Sequence, residues 1–362
     1  MTCWSFYEGI AERLSPGEPE TTGQRVRDFI RRIERESGVP DLAQVLADCE
    51  PTDLQSLLME VYGRMAKRRQ PPALLTEHVS NRFTRPSGCD PARILEWDSI
   101  ALSHLPKGFN AIELSPVSPL GTTSIIAPIS QDWVLSTIRN TEVIADPTNV
   151  LALECAVRRR EQIRSQPTRA TSVRLAASHR VVRAQRYDSP AAKHHFRLFS
   201  LCTAGRTRGG LDFESEALPE HIAFYLESLR TFLGPRVPLS VSIADLAGDT
   251  RHKVALPALI ETLQERFPGI RVGSDEGPKD GGDYYRGFRF HVSATSASGE
   301  ELELVDGGDT DWTQKLLNNA KERLVISGIG TERVCENFVP VARGSTVRSK
   351  ARRPSGRRRS ST

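Results

Sequence analysis

From residue 108 onward, the sequence places its predicted strands in neighbouring pairs and separates these pairs by single amphipathic helices. One pair is RLAASHRVVRAQ and HHFRLFSLCTAG, and a later pair is YYRGFRFHVSA and EELELVDGG. Parallel strands need a long crossover between them, whereas antiparallel neighbours can follow each other directly. The pattern therefore predicts an α+β fold in which helices flank a mixed, mostly antiparallel sheet.

The sequence on either side of this body has a different character. Residues 1–104 predict a helical N-terminal segment, because GQRVRDFIRRIERESG and DLQSLLMEVYGRMAKRR repeat apolar residues at helical spacing. Residues 105–340 form the predicted α+β body, and residues 341–362 form a tail with too little apolar surface to fold alone. The apolar faces of the first two helices comprise Val26, Phe29, Ile30 and Ile33, and Leu54, Leu57, Leu58 and Val61.

The tail accounts for the basic character of the chain. The 362 residues carry a formal charge of +4, while residues 343–362 contain eight Lys and Arg and no acid. The rest of the chain therefore carries 4 − 8 = −4, which gives no indication of a nucleic-acid-binding face on the folded body. We expect a disordered tail; the alternative is loose electrostatic attraction to RNA.

The cysteines and the N-terminus indicate a reducing compartment. Six cysteines are scattered along the chain without a C-x-x-C pair or a histidine at metal-ligand spacing. The start MTCWSFYEGIAERL lacks the basic and apolar parts of a signal peptide, and no apolar stretch reaches about 18 residues. The sequence thus predicts a cytoplasmic protein with reduced thiols and no membrane contact.

One candidate phosphate contact lies in a strand. Arg183 and Gln185 alternate and point to one face, and the following loop carries Arg186, Lys193 and His194 over it. Arginine suits bidentate phosphate contacts, and a strand holds it at a fixed distance. The alternative is a solvent-facing arginine on an edge hairpin.

A second candidate lies in ISGIGTERVCENF, residues 326–338. Gly328 and Gly330 would let the backbone turn sharply towards a ligand. Arg333 falls at the start of the next helix, where free amides and the helix dipole favour an anion. The alternative is an ordinary glycine turn between strand and helix.

Together with KGFNAIELSPVSPL at 107–120, these segments resemble the three class-defining motifs of class II aminoacyl-tRNA synthetases. Those motifs are an aromatic-led strand ending in proline, an Arg-x-Glu strand followed by a loop and His-x-x-x-Phe, and a terminal Gly-x-Gly-x-x-Arg strand and helix. They correspond here to residues 108–119, 183–199 and 328–333. The resemblance covers about residues 101–340.

Three further segments resemble the histidyl-tRNA synthetase branch, which includes the regulatory subunit of ATP phosphoribosyltransferase. GGDYYRGFRFHV at 281–292 is similar to Arg-Gly-Leu-Asp-Tyr-Tyr-Thr-Gly-x-x-Phe, and ELVDGGDTDW at 303–312 to Gly-Gly-Arg-Tyr-Asp. DPTNVLALECAVR at 146–158 sits where the branch has Arg-Pro-Glu-Gly-Thr. The chain thus resembles a class II synthetase-like catalytic core of this branch.

The resemblance implies a site for ATP and Mg²⁺. Arg183 and Arg333 would be the catalytic arginines, one at the α-phosphate and the other at the far end of the triphosphate, where fixed cations meet growing charge. Phe199 would stack on adenine. The other implied ATP contacts are Gln185, His195, Gly328 and Gly330, and the implied substrate contacts are Gln185, Asp146, Thr148, Tyr284 and Tyr285.

Several positions depart from the family pattern. Gln185 replaces the glutamate of Arg-x-Glu, and Asp280 falls where the branch has a catalytic arginine. The segment at 146–149 lacks the central glutamate, and Asp309 and Thr310 replace Arg and Tyr. No anticodon-binding domain follows residue 338 in the sequence. These departures argue that free histidine is not the substrate.

The sequence leaves three functions open. The first is an enzyme that binds ATP and activates another carboxylate as an adenylate, for transfer to a small molecule, a protein or a tRNA. The second is a non-catalytic paralogue that acts as a regulatory subunit. The third is an RNA-binding module that uses the basic tail.

The resemblance also implies assembly and metal contacts. Members of the fold family usually dimerise through the first motif, so we expect a homodimer with residues 107–120 near the twofold axis. Glu303, Asp306 and Asp309 are candidate metal ligands by position alone. The alternative is that they are exposed structural carboxylates.

Overall fold

An eight-stranded sheet is the largest unit of the computed structural model, which describes residues 18–165, 171–185, 193–275 and 284–338. The basic tail, Arg186 and Asp280 lie outside these described residues. Within the described ranges, no helix combines the length and the apolar character needed to cross a membrane.

The sheet is mostly antiparallel, which confirms the predicted fold class. Its strands are β1 (Phe109–Ala111), β4 (Val173–Val182), β5 (His195–Arg206), β6 (Leu239–Asp245), β7 (Arg271–Ser274), β8 (Phe288–Thr295), β9 (Glu301–Thr310) and β10 (Glu322–Gly330), while β2 (Val117–Pro119) and β3 (Thr141–Val143) pair separately. The order is β1-β4-β5-β10-β9-β8-β6-β7. Only the outer pairs β1–β4 and β6–β7 of this described sheet are parallel.

Helices precede the sheet and cover both of its faces. They are α1 (Glu18–Ser37), α2 (Leu42–Ala47), α3 (Pro51–Lys67), α4 (Pro71–Ser80), α5 (Pro91–Ser103), α6 (Pro147–Ser165), α7 (Asp212–Leu233), α8 (Thr250–Arg266), α9 (Trp312–Leu317) and α10 (Thr331–Asn337). A π-helical turn (Thr122–Ile126) and a 3₁₀ turn (Gln131–Trp133) lie between β2 and β3.

The central strands divide the core into two layers. Leu198 and Ile326 point into the layer under α6, which we call the α6 face. Phe199 and Val325 point into the opposite layer under α5, α7, α8 and α10, which we call the α7 face. Because successive side chains of a strand alternate, neighbouring residues belong to different layers.

A fully buried ion pair joins α6 to β10. Arg159 donates from Nε and Nη2 to the two carboxylate oxygens of Glu322, at 2.8 and 2.9 Å. Its Nη1 also donates to the carbonyl oxygen of Thr171 and to the amide oxygen of Gln162. These additional bonds help to offset the cost of removing two charges from water. The pair fixes α6 on the sheet.

Two glycines let β9 pass closely beneath aromatic rings. A Cβ on Gly308 would lie 2.3 Å from the carbonyl oxygen of Phe288 and 2.7 Å from the ring of Tyr285. A Cβ on Gly307 would lie 2.6 Å from the ring of Phe290 on the other face. The glycine pair of ELVDGGDTDW is therefore needed for close packing, and it holds Tyr285 against the α6 face.

The N-terminal helices leave apolar side chains uncovered within the described chain. The described helices α2, α3 and α4 contain no buried residue. On α1, Val26, Phe29 and Ile33 are 51%, 53% and 46% exposed. The helical periodicity is confirmed for these stretches, but their apolar faces do not join the core of the described chain.

Two elements differ from the sequence prediction. FNAIELSPV forms the separate strands β1 and β2, because the chain leaves β4 after Ile112 bonds to Ala176 and pairs again with β3. The sequence PEHIAFYLESLRTFL predicts a helix with Pro219 in its first turn. The observed helix α7 begins at Asp212, so Pro219 lies inside the helix. The acids Asp212 and Glu214 suit the positive end of this longer helix.

Candidate functional site

Arg183 follows β4 and lies buried on the α6 face. Its side chain is 2% exposed. Its Nε donates to the carbonyl oxygen of Ala145 at 3.0 Å, and its Nη2 donates to Asp146 Oδ2 at 3.2 Å. The guanidinium carbon lies 5.1 Å from the centre of the Phe196 ring. A protein carboxylate thus already faces the charge of this arginine.

Asp146 is held in place by the start of α6. Its Oδ1 accepts hydrogen bonds from the backbone nitrogen and the hydroxyl of Thr148, at 2.8 and 2.7 Å. Burial raises the pKa of Asp146, while Arg183 and the bonds from Thr148 oppose that rise. The structure therefore brings three predicted site residues into one buried network.

Two carboxamides and a hydroxyl on the α6 side of the sheet are buried without hydrogen-bond partners. They belong to Gln185, Asn149 and Ser200, whose side-chain polar atoms contact no partner in the part of the chain described here. Gln185 is 3% exposed and Asn149 is 1% exposed. Each such group costs about 1–3 kcal/mol, so their concentration is typical of a site that a ligand completes. Sequence reasoning named Gln185 and missed the other two, although Asn149 directly follows Thr148.

A tyrosine and a carboxylate meet farther along this face. Tyr285 Oη donates to Asp306 Oδ2 at 2.5 Å, and His291 Nδ1 lies 3.3 Å from Asp306 Oδ1. Burial and the charge of Asp306 raise the pKa of Tyr285 well above its usual value. Tyr284 packs edge-on against Tyr285 and Trp312, with ring centres 4.8 and 5.1 Å apart. The predicted tyrosine pair therefore adjoins the α6 face.

Gly328 and Gly330, the glycines of the last motif, place no side chain on the α6 face. They do not turn the chain sharply, so the predicted turn is wrong. Gly328 pairs with Ser200 on β5 and with Asp306 on β9. A Cβ on Gly328 would lie 3.3 Å from Ser200 Oγ. Gly330 has φ −75°, which any residue adopts, because β10 runs directly into α10. Arg333 is the third residue of α10 and is partly exposed.

His195 and Phe199 lie on the face opposite Arg183, which corrects their expected grouping in one ATP site. Phe199 is buried in the α7 face, where its ring stacks 5.6 Å from that of Phe224. Side chains alternate along β5, so His195 shares the face of Phe199. The same alternation places Phe196, and not Phe199, beside Arg183.

The loop residues predicted to cover Arg183 have other partners. Lys193 forms an ion pair with Glu332 at 3.2 Å and a second one with Glu336. The ring of His194 packs edge-on against Phe83, and its Nδ1 lies 3.3 Å from the carbonyl oxygen of Arg183. Lys193 therefore stabilises α10 and is not a phosphate contact beside Arg183 in this structure.

The three acids considered for a metal do not form one site. Asp306 is buried on the α6 face, whereas Asp309 is half-buried on the α7 face and accepts from the backbone nitrogen of Phe288 at 2.5 Å. Burial raises the pKa of Asp309 to about 6. Neither aspartate is therefore an exposed structural carboxylate, which was the alternative to a metal ligand. The described residues contain no group of three or more His, Cys, Asp or Glu that could hold a metal ion.

Comparisons with known proteins find similarity in structure. No family model matches the sequence, and no curated protein matches it significantly. Histidyl-tRNA synthetase from Nostoc sp. is similar with a TM-score of 0.52 and 13% identity, over 70% of this chain and 73% of that chain. A Bacillus halodurans structure described as an ATP phosphoribosyltransferase regulatory subunit/histidyl-tRNA synthetase has a TM-score of 0.50 and 15% identity, over 71% and 83%.

These likenesses concern the fold, because the identities are low. The order of the three motifs predicts a mostly antiparallel sheet with flanking helices. The observed sheet agrees with that prediction, and so does the similarity to the solved structures. The chain therefore has a class II aminoacyl-tRNA synthetase-like core, as its motifs predict.

Proposed function

We propose that the chain is a non-catalytic synthetase-like protein that binds a small polar ligand on its α6 face and acts as a regulatory subunit. The buried contact between Arg183 and Asp146 carries this proposal. Because a protein carboxylate compensates the arginine, the site favours a neutral or zwitterionic ligand over a triphosphate. The carboxamides of Gln185 and Asn149 each offer such a ligand one acceptor and two donor hydrogens.

Other features support binding without adenylate formation. Phe199 packs against Phe224 on the opposite face, so it is not available to stack on adenine beside Arg183. Asp280 occupies the sequence position of a catalytic arginine in the histidyl branch. A cation that would meet growing charge during adenylate formation is therefore missing from that position.

An adenylate-forming enzyme is the second candidate, and the presence of both motif arginines favours it. Arg183 would meet the α-phosphate of ATP after displacement of Asp146, and Arg333 would meet the far end of the triphosphate. Mg²⁺ would supply positive charge that neutralises the phosphates. Asp306 is one buried aspartate on this face that could approach the ion, although it accepts a hydrogen bond from Tyr285.

Exchange between ATP and pyrophosphate separates these candidates. The full-length protein is incubated with ATP, Mg²⁺, labelled pyrophosphate and pools of amino acids and other carboxylic acids. Our proposal expects no acid-dependent exchange. Exchange that disappears in Arg183→Ala and in Arg333→Ala would instead establish the enzyme.

Thermal unfolding with the same pools tests ligand binding. A ligand that binds the folded state raises Tm by mass action. We expect such a rise in the wild type and its loss in Gln185→Leu and in Asn149→Leu. Gln44→Leu, an exposed amide on α2, is the matched control and should keep the rise. A wild type whose Tm responds to no pool contradicts the proposed ligand site.

The proposal includes a homodimer and a further protein partner. β1, part of the first motif, forms one edge of the described sheet, which leaves it available to a second copy. Light scattering at micromolar concentration should give the mass of a dimer. A monomeric mass would count against assembly through residues 107–120.

A further inference from the structure

Cys89 and Cys335 face each other where the N-terminal helices meet the last helix. Cys89 lies two residues before α5, and Cys335 lies within α10. Each thiol affects the pKa of the other, and both cysteines are free. Cys89 is 7% exposed, whereas Cys335 is partly exposed. Cys335 is therefore the more exposed residue of the pair.

Polar contacts hold the two cysteine-bearing segments together. Ser87 Oγ donates to Glu332 Oε2 at 2.9 Å, and the backbone nitrogen of Cys89 donates to Ser87 Oγ at 3.2 Å. Buried Glu332 also accepts from Arg180 at 2.6 Å and from Lys193 at 3.2 Å. These contacts anchor α10 to the segment before α5 and keep the thiols at close range.

We propose that Cys89 and Cys335 are a reversible redox modification site that closes into a disulfide. The bond links the N-terminal helices covalently to α10, the helix that carries Arg333. Cys335 is the residue that a small oxidant reaches, and Cys89 resolves the oxidised intermediate. Neither cysteine belongs to the proposed ligand site, so this inference does not depend on the proposed function.

With hydrogen peroxide as oxidant, atoms and electrons balance in two steps. The Cys335 thiolate attacks one peroxide oxygen, the O–O bond breaks, and the products are a sulfenic acid and hydroxide, which takes up the thiol proton as water. The Cys89 sulfur then attacks the sulfenic sulfur, the S–O bond breaks, and the Cys89 proton leaves with the second water. Two thiols thereby lose two electrons and two protons to one peroxide.

The surroundings of the pair make oxidation slow and its product persistent. Burial raises the pKa of Cys335 to about 12, and the neighbouring Cys89 adds to the rise. Burial and the charge of Glu336 also raise the pKa of Cys89. The thiolate fraction at neutral pH is therefore small. Since no stabilised thiolate favours the reduced form, the disulfide remains once it has formed.

The chain contains a matched pair of cysteines for comparison. Cys155 and Cys202 are also electrostatic neighbours, but both are fully buried between α6 and the sheet. An oxidant in water reaches neither of them in the folded state. Cys3 lies outside the described residues, and replacing it with serine removes its contribution from the experiment.

Peptide mapping tests the proposal. Full-length Cys3→Ser protein is treated with hydrogen peroxide, alkylated and digested with trypsin without reductant. We expect residues 83–93 cross-linked to residues 334–343, with a mass two hydrogens below the sum of the free peptides. The product should disappear with dithiothreitol and in Cys89→Ser or Cys335→Ser. The double variant Cys155→Ser/Cys202→Ser should keep it.

Three outcomes overturn the proposal. The first is the absence of this cross-linked product from the folded protein after peroxide treatment. The second is an equal yield from protein unfolded in urea, because the bond would then not depend on the folded contact. The third is a product in which Cys335 links two chains, which a non-reducing gel separates from the expected bond within one chain.

Discussion

His221 shows at the scale of one residue how burial couples stability to pH. Its ring nitrogens lie 2.9 Å from Thr203 Oγ1 and 2.8 Å from Ser327 Oγ. Burial lowers the pKa of His221 to about 3, and the charge of Arg174 adds to the effect. The folded protein therefore keeps this ring neutral at pH values where the unfolded chain protonates it.

We expect acid to destabilise the wild type partly through this residue. The pKa of His221 is lower in the folded state than in the unfolded state. Its contribution to the free energy of unfolding is therefore complete above about pH 6.5. That contribution falls towards pH 3 by up to about 1.4 kcal/mol per pH unit. His221→Gln keeps a polar side chain but removes the titration. The gap in unfolding free energy between wild type and His221→Gln should therefore shrink between neutral pH and about pH 5, as measured by urea unfolding.

An exposed histidine provides the comparison. His78 lies on the surface of α4, so His78→Gln controls for the substitution itself and should change the free energy of unfolding by less than about 0.5 kcal/mol. A gap for His221→Gln that stays constant over the same range would contradict the assignment of the acid sensitivity to burial.

Single residues also explain which of the predicted site residues the structure brings together and which it separates. Arg183, Asp146 and Thr148 meet as one network, and each lies in or next to a locally patterned strand or helix. Phe199, which the resemblance assigned to adenine stacking, lies on the other face from Arg183, because a shift of one residue moves a strand side chain to the opposite face. A motif pattern alone does not specify which face of the strand a side chain occupies.

At the scale of elements, the Arg159–Glu322 pair makes α6 and β10 interdependent. Arg159→Met leaves a buried carboxylate without its cation, so we expect a loss of about 3–5 kcal/mol in the free energy of unfolding. Urea unfolding at neutral pH measures this loss. Arg158→Met breaks a half-exposed pair with Glu154 on the same helix and should cost less than about 1 kcal/mol.

A double variant distinguishes the effect of an unpaired charge from the effect of lost packing. Arg159→Met/Glu322→Leu removes both charges and should recover much of the lost stability, because no uncompensated charge remains. A double variant less stable than Arg159→Met would show that packing, and not the unpaired charge, dominates the loss.

Elements differ in how well local sequence predicts them. Helix α6 and the hairpin β4–β5 follow from periodicity and turn residues within a short window. The break between β1 and β2 depends on partners distant in sequence, β4 and β3, and the local alternation of FNAIELSPV does not contain that information. Pairing of β10 between β5 and β9 is non-local as well, so local periodicity does not indicate it.

At the scale of the whole molecule, the core and the N-terminal helices are expected to be energetically separable. The described helices α2 to α4 bury no side chain, and the apolar face of α1 is exposed at Val26, Phe29 and Ile33, so these described residues contribute little apolar area to the core. The truncation tested removes residues 1–80. We expect the truncated protein to unfold cooperatively, with a Tm within about 4 °C of the full-length value. Circular dichroism measures it, and a truncated chain without a cooperative transition would contradict this separation.

The position of β10 also sets the order of events during synthesis. β10 lies at the centre of the sheet and pairs Glu322 with Arg206, yet the ribosome makes β6 to β9 between these two residues. The edge of β5 that pairs with β10 therefore remains unpaired until most of the chain has been synthesised. An unpaired strand edge promotes association between nascent chains. The sheet closes only when β10 becomes free to insert, which makes this a protein whose yield depends on what shields β5 during translation.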